Sequence, residues 1–229
     1  IQVEYLTKLA RGGSKVVLVL TGGSPIALGE LEDLMEAIVY VWYPGQEGGN
    51  AVADLLFGDE NPSGKLPVTF VKSDDQLPAF EDYNMKGRTY RYLEEEPMYP
   101  FGFGLSYSQS AFSDAKADMT GGSVSFTCTV SNTGDKPMIE TVQLYASSPD
   151  AGYPNPLWEL KEFKNVSLKP GESQKVDFVL PAGSFTLINE EGEAYRQSGS
   201  WKLYAGPCSP GKRGVELGAA EGVQAAVTL

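Results

Sequence analysis

Residues 15–42 read KVVLVLTGGSPIALGELEDLMEAIVYVW, and this stretch decides the fold of the first part of the chain. It opens on an uninterrupted branched run at 15–20, which is typical of a strand buried on both faces of a parallel sheet. A turn with glycines and a proline follows at 21–25, then a helical pattern at 28–35 and a second apolar run at 37–42. Strand, helix and strand in this order predict a right-handed crossover and a parallel sheet.

The pattern extends outward from this unit and then changes. We expect a helix at 3–10, a turn at 43–46 and a further helix at 47–57. Residues 58–107 are rich in Pro, Gly, aromatic and charged residues, and they predict a long irregular connection with short periodic stretches only at 66–71 and 89–93. From residue 115 onward the pattern is all β, with strands expected at 124–130, 141–146, 163–168, 175–180, 200–205 and 224–229, and turns at 132–135, 169–171 and 190–192. About seven strands are enough for a fibronectin-like β-sandwich.

The predicted fold class is therefore α/β plus all-β. We expect a partial α/β sandwich with a mostly parallel sheet at 1–107, a linker at 108–115 and a fibronectin type III-like β-sandwich at 116–229. Because the chain opens at Ile1 without a methionine, it is expected to be a piece of a longer protein.

Composition excludes several functions. The 229 residues carry a formal net charge of −12, which repels nucleic acids and anionic lipids, so neither is expected as a partner. The most apolar run, at 16–20, is far shorter than the ~20 residues of a membrane-spanning helix. Because the histidine count is zero, Ser-His-Asp and Cys-His nucleophile systems and imidazole metal sites are excluded. Two cysteines, Cys128 and Cys208, leave one disulfide or two free thiols as open alternatives.

Four groups of motifs carry a resemblance to a known family. They are VWYPGQEGG at 41–49 with ADLLFGD at 53–59, NPSGKLPVTF at 61–70, YPFGFGLSY at 99–107, and VSNTG at 130–134 with ETVQLY at 140–145 and LKPGE at 168–172. In this order and spacing they resemble the C-terminal part of glycoside hydrolase family 3, the β-glucosidase and β-xylosidase family. The match covers nearly the whole chain.

This resemblance implies a retaining, exo-acting β-glycosidase that removes single sugars from the non-reducing end with two carboxylates ~5 to 5.5 Å apart. In the family the nucleophilic Asp lies in an N-terminal barrel, and the acid/base Glu precedes the segment matched by residues 15–20. We therefore expect no catalytic, cofactor-binding or metal-binding residue in this chain, and no cofactor. The implied partners are a β-linked saccharide and the missing barrel, and the α/β part should expose an apolar patch where the barrel packs. Assembly into a homo-oligomer is left as an alternative.

The resemblance further implies a secreted or periplasmic location. It leaves glucosides and xylosides open, with the GRTYRY stretch at 87–92 favouring the xylosidase-like branch. Two alternatives belong to other classes, namely a stand-alone carbohydrate-binding module and a purely structural scaffold.

Several motifs admit both a functional and a structural interpretation. The turn at 21–25 lies where an open parallel sheet commonly binds ligands, but the glycines could simply supply positive φ angles. Glu47 could line a cleft or stabilise the first turn of a helix. The glycine and aromatic motifs at 64–67 and 102–107 are interpreted as packing elements that clamp the long connection onto the sandwich or onto the missing barrel.

Aromatic and acidic residues leave similar alternatives. The 85–92 stretch contains two arginines and two tyrosines that could stack on sugar or form inter-domain ion pairs, namely Arg88, Arg91, Tyr90 and Tyr92. Trp158 could bind polysaccharide or pack against the barrel, whereas Trp201 is expected in the core. The acidic clusters at 74–75, 94–96 and 190–191 are interpreted as solvated loop charges.

Overall fold

The computed structural model describes residues 1–189 and 191–229, and its first part is the predicted α/β unit. Its elements are helix α1 (Gln2–Arg11), strand β1 (Val17–Leu20), helix α2 (Leu31–Leu34), strand β2 (Ala37–Tyr40) and helix α3 (Gly48–Phe57). β1 and β2 pair in parallel from Val17↔Ala37 to Leu20↔Tyr40, which confirms the parallel sheet. α2 is a single turn that begins later than predicted, because Gly29 adopts a left-handed φ of +54° that a helix cannot include.

The prediction that β1 is buried on both faces is wrong for this chain. Val17 is 45% exposed, and the rest of β1 and most of β2 are half-buried. The sheet has two strands in the part of the chain that the structure describes, so each strand keeps one unpaired edge.

The connecting segment, residues 58–109, is irregular as predicted. It contains a 3₁₀ turn (Asp74–Gln76) and a one-turn helix α4 (Thr89–Tyr92). The periodic stretch at 66–71 yields one isolated bridge, Phe70↔Tyr99, and no strand. Phe70 is fully buried against the rings of Tyr40 and Trp42, so an aromatic cluster fixes this segment to the carboxyl end of β2.

The second part is a β-sandwich of two antiparallel sheets. Its strands are β3 (Ser110–Thr120), β4 (Ser123–Asn132), β5 (Met138–Ser147), β6 (Glu159–Leu168), β7 (Ser173–Pro181), β8 (Thr186–Ile188), β9 (Ala194–Arg196), β10 (Ser200–Gly206) and β11 (Val223–Thr228), with a 3₁₀ turn (Ala182–Phe185) before β8 and a short helix α5 (Lys212–Glu216) before β11. One sheet has the order β11-β10-β5-β6 and the other β3-β4-β7, while β8 and β9 form a separate hairpin.

Two expectations about this part need correction. Residues 110–113 pair with β4 from Ser110↔Asn132 onward, so most of the predicted linker at 108–115 is strand. Its alternation is interrupted by a register shift between Ser113 and Lys116, where Asp114 adopts a left-handed φ of +57°, and its inward positions include the small residues Ala115 and Ala117. The hairpin β8–β9 was not predicted, and the turn expected at 190–192 includes Glu190, which lies outside the described residues.

Alternation of apolar and polar residues builds the core of the sandwich. Along β4 every second side chain, from Val124 to Val130, is buried, whereas the serines and threonines between them face outward. These side chains meet Phe178 of β7 and Trp201 of β10 in one cluster. Trp201 is 2% exposed and packs edge-on against Phe185 at 5.1 Å, which confirms its predicted place in the core.

Candidate functional site

The carboxyl edge of the parallel sheet brings two of the predicted motifs together. The turn at 21–25 leaves β1 and the turn at 41–46 leaves β2 at this same edge, where the amide of Gly22 donates to the carbonyl of Trp42 (3.2 Å). Neither Gly22 nor Gly23 has a positive φ, so the interpretation that these glycines supply one is wrong. A Cβ on Gly23 would lie 2.9 Å from the ring of Tyr43, so the glycine is needed for close approach to an aromatic side chain.

The same edge contains a strained residue but no paired carboxylates. Trp42 adopts a φ of +51° and packs against Tyr40 at a centroid distance of 4.6 Å. Glu47 lies one residue before α3 at its N-cap, is exposed, and accepts from the amide Nδ2 of Asn50 (2.6 Å). Its carboxylate therefore sits beside the positive end of the helix, as the structural interpretation expects.

The most developed polar site lies where the connecting segment meets the β-sandwich, and we refer to it as the junction. Lys65, from the motif at 61–70, reaches into the sandwich, where its Nζ lies 2.9 Å from Oε1 of Glu140 on β5. Their side chains are 14% and 5% exposed. Lys65 also donates to the carbonyl of Gly104 (2.8 Å), and Ser110 donates to Oε2 of Glu140 (2.7 Å). Because both charges are desolvated, each depends on the other for compensation.

A second polar group in the junction surrounds Gln143 on β5, which is 3% exposed. Its Nε2 donates to the carbonyls of Gly102 (3.1 Å) and Pro207, and its Oε1 accepts from the hydroxyl of Tyr145 (2.6 Å). These three hydrogen bonds all join the Gln143 side chain to buried residues. The motif at 102–107 is thus clamped onto the β-sandwich, as predicted.

A third contact joins helix α2 to helix α5, which lies between β10 and β11. The guanidinium of Arg213 in α5 lies 2.6 Å from Oε1 of Glu32 and donates to the carbonyl of Met98 (3.0 Å). Burial, with Glu32 nearby, raises the pKa of Tyr99 well above its ordinary value. Three separate polar contacts therefore hold the two parts of the chain together.

Both cysteines are free and buried, so the alternative of a disulfide is excluded. Burial raises the pKa of the Cys128 thiol and of the Cys208 thiol to about 11 each. Neither thiol is therefore a nucleophile near neutral pH, since the thiolate is the reactive form.

In the stretch at 85–92, Tyr90, Arg91 and Arg88 each have a different structural role. Tyr90 stacks on Phe101 at 4.3 Å, and its hydroxyl accepts from the amide of Leu160 (3.2 Å). Arg91 forms the inter-domain ion pair that was one of its two predicted roles, with NH2 lying 3.2 Å from Glu159 of β6. Arg88 instead donates to backbone carbonyls of its own loop.

Trp158 and the acidic clusters do not form a site in the described structure. Trp158 is half-buried and packs against Tyr204 of β10 at a ring-centroid distance of 6.1 Å, so its aromatic neighbour belongs to the β-sandwich, and binding of a polysaccharide stays a prediction. The carboxylates at 74–75 and 94–96 are exposed, as are Glu191 and Glu193 beside the undescribed residue. Among the described residues no group of three or more Cys, Asp or Glu side chains is arranged to hold a metal ion. Within the same residues no helix has the length and apolar character needed to cross a membrane.

The comparisons with known proteins agree with this architecture. Residues 1–107 match the glycosyl hydrolase family 3 C-terminal domain, and residues 140–209 match the fibronectin type III-like domain. The chain therefore belongs to glycoside hydrolase family 3, of which it carries the C-terminal region.

Individual relatives give the same result. The chain is 42% identical to a xylan 1,4-beta-xylosidase of Xylanibacter ruminicola over 91% of its own length and 24% of the relative's. It is 35% identical to a periplasmic beta-glucosidase of Salmonella typhimurium, over 90% of the chain and 29% of that protein. The solved beta-glucosidase 3B of Thermotoga neapolitana superposes with a TM-score of 0.87 at 30% identity, covering 99% of this chain and 33% of that structure. The chain thus spans about a quarter to a third of the length of the relatives it matches.

Proposed function

We propose that this chain is the C-terminal, non-catalytic part of a retaining, exo-acting β-glycosidase. The observation that carries the proposal is the succession of the two family domains, matched over most of the chain to proteins named β-xylosidase and β-glucosidase. Both catalytic carboxylates would then be supplied by polypeptide upstream of Ile1.

The state of the carboxylates supports this assignment. Glu140 is the buried carboxylate among the described residues, and Lys65, Ser110 and the amide of Thr141 already engage both of its oxygens. A retaining mechanism needs one carboxyl free to attack a sugar and a second ~5 to 5.5 Å away that can donate a proton. Glu140 meets neither condition, and the acidic clusters at 74–75 and 94–96 lie open to water.

The physical task of the chain is to brace the catalytic part. Its two halves are joined at the junction by buried polar contacts, so they should move as one body. Exposed large hydrophobic side chains are concentrated on the α/β side: 14 of the 23 found among the described residues lie in residues 1–107. Since monomeric proteins rarely expose large apolar patches, we expect upstream polypeptide to pack on this side.

The remaining parts of the proposal concern substrate, division and location. Higher identity to the xylosidase supports a β-xyloside substrate, although β-glucosides must be assayed beside it. We also propose that the whole protein has a domain boundary near residue 107, with the α/β domain before it and the β-sandwich after it. The relative named as periplasmic supports a periplasmic or secreted location.

Hydrolysis of aryl β-xylosides and aryl β-glucosides tests the proposal. The whole protein, expressed with its upstream polypeptide, should release the aryl group from at least one of them, whereas the 229-residue chain should not exceed the buffer background. Turnover by the 229-residue chain that is lost on a Glu→Gln substitution within it would contradict the proposal. Inactivity of the correctly folded whole protein toward both substrates would also contradict it.

A further inference from the structure

One loop of the connecting segment exposes large apolar side chains for which the chain itself provides no cover. Residues 77–88, called here the aromatic loop, carry Phe80 at 88% exposure and Tyr83 at 87%. Leu77 and Met85 at its two ends are 41% and 43% exposed. Single exposed apolar residues are common on proteins, but four of them on one short loop need an explanation.

The aromatic loop is ordered by its own polar contacts and not by burial of its rings. The guanidinium of Arg88 donates to three backbone carbonyls of the loop, those of Ala79 (3.3 Å), Asp82 (2.6 Å) and Asn84 (3.1 Å). Oδ1 of Asp82 accepts from the backbone amide (2.9 Å) and the side-chain amide (2.8 Å) of Asn84. The two rings are therefore presented on a backbone that is already organised, which lowers the entropic cost of binding.

We propose that the aromatic loop is a docking element for the polypeptide upstream of Ile1, with the rings of Phe80 and Tyr83 as its anchors. This inference rests on the proposed function, which places a catalytic part in that polypeptide. The relatives leave ample length for it, because the aligned region is only 24% to 29% of the xylosidase and the periplasmic glucosidase described above.

The size of the surface favours a tethered partner over a separate molecule. Two aromatic side chains bury about 150 to 250 Å² each, which falls short of the ~800 Å² per partner of a standard interface between separate chains. A partner in the same polypeptide needs less area, because the covalent connection supplies a high effective concentration.

The chemistry of the aromatic loop also disfavours a sugar as the occupant. Sugar sites place polar groups around the ring to orient hydroxyls. Here the carbonyls of Ala79, Asp82 and Asn84 and the carboxylate of Asp82 are engaged within the loop. The rings of Phe80 and Tyr83 and the side chain of Met85 form an apolar centre beside the exposed charges of Glu81 and Lys86, which matches the apolar core and polar rim of a protein interface.

Thiol labelling can test the inference, because the native cysteines are both buried. Tyr83→Cys places a new thiol on the aromatic loop, and Phe163→Cys places a control thiol at a 58% exposed position on β6. Each variant is made in the 229-residue chain and in the whole protein, and the rate of maleimide labelling is measured in both. We expect labelling at position 83 to be about tenfold slower or more in the whole protein, since burial blocks access, with equal rates at position 163.

Each other outcome overturns the inference. Equal rates at position 83 in the two proteins would show that upstream polypeptide does not cover the loop. Protection that disappears on dilution would assign the surface to a second copy, and protection that requires added xylan or cellooligosaccharide would assign it to a sugar.

A second variant separates docking from the proposed function. Tyr83→Asp should lower the melting temperature of the whole protein and leave that of the 229-residue chain unchanged. If the whole protein hydrolyses aryl glycosides but Tyr83→Asp changes neither melting temperature, the docking inference fails while the proposed function stands.

Discussion

Replacing Gly102 by alanine tests the junction at its tightest point. Gly102 has a φ of +78°, and a Cβ there would lie 2.0 Å from Oε1 of Gln143. Gln143 cannot move aside without losing hydrogen bonds, because its Nε2 donates to the carbonyls of Gly102 and Pro207 and its Oε1 accepts from the hydroxyl of Tyr145. The new methyl group must therefore displace either the backbone of the connecting segment or a buried hydrogen-bonded side chain.

The expected loss of stability has three contributions. An alanine in the left-handed region costs about 1 to 2 kcal/mol. Overpacking adds about 1 to 3 kcal/mol, and any buried polar atom of Gln143 that loses its partner adds about 1 to 3 kcal/mol more. We therefore expect Gly102→Ala to lower the free energy of unfolding by about 2 to 5 kcal/mol if Gln143 keeps its hydrogen bonds, and by about 3 to 8 kcal/mol if it loses one. Either loss is a large share of the ~5 to 15 kcal/mol typical of folded proteins.

Gly171→Ala is the matched control. Gly171 has a similar φ of +73°, but no atom lies within 4 Å of the position that its Cβ would take. This variant should lose only the backbone contribution, about 1 to 2 kcal/mol. Guanidinium denaturation of the 229-residue chain, followed by tryptophan fluorescence, measures both values. Equal losses in the two variants would refute the argument that the junction is packed without free space at Gly102.

Two further predictions concern buried ionisable groups. Lys65→Met should lower the free energy of unfolding by about 3 to 5 kcal/mol, because Glu140 keeps a buried charge without its partner. Lys8→Met, which breaks the exposed ion pair between Lys8 and Glu4, is the control. A loss in Lys65→Met that is no larger than the loss in Lys8→Met would contradict this prediction. Cys128 and Cys208 should resist Ellman's reagent at pH 8 until the chain is unfolded, and fast reaction of either native thiol would count against their burial. Because their pKa of about 11 lies above the ~8.5 of an unfolded cysteine, the folded state holds protons that the unfolded chain releases, so stability should fall as pH rises from about 8.5 to 11.

The sequence alone determined the fold class and much of its order. Branched runs at 15–20 and 37–42 predicted the parallel pair, and alternation along 124–130 predicted a strand whose buried side chains enter the core. The motifs at 41–49, 61–70 and 99–107 led to the family that the comparisons show. All of these are local patterns, which depend only on the type and spacing of residues that are near each other in the sequence.

Only the tertiary structure decided what the motifs do. Lys65 and Glu140 are 75 positions apart, and no periodicity indicates that they meet in a desolvated ion pair. Position 23 has no room for a side chain because Tyr43, in the turn after β2, lies against it. The strand that begins at Ser110 lacks clear alternation. The physical reason is that close packing and charge compensation depend on distances between segments far apart along the chain, which a local pattern does not contain.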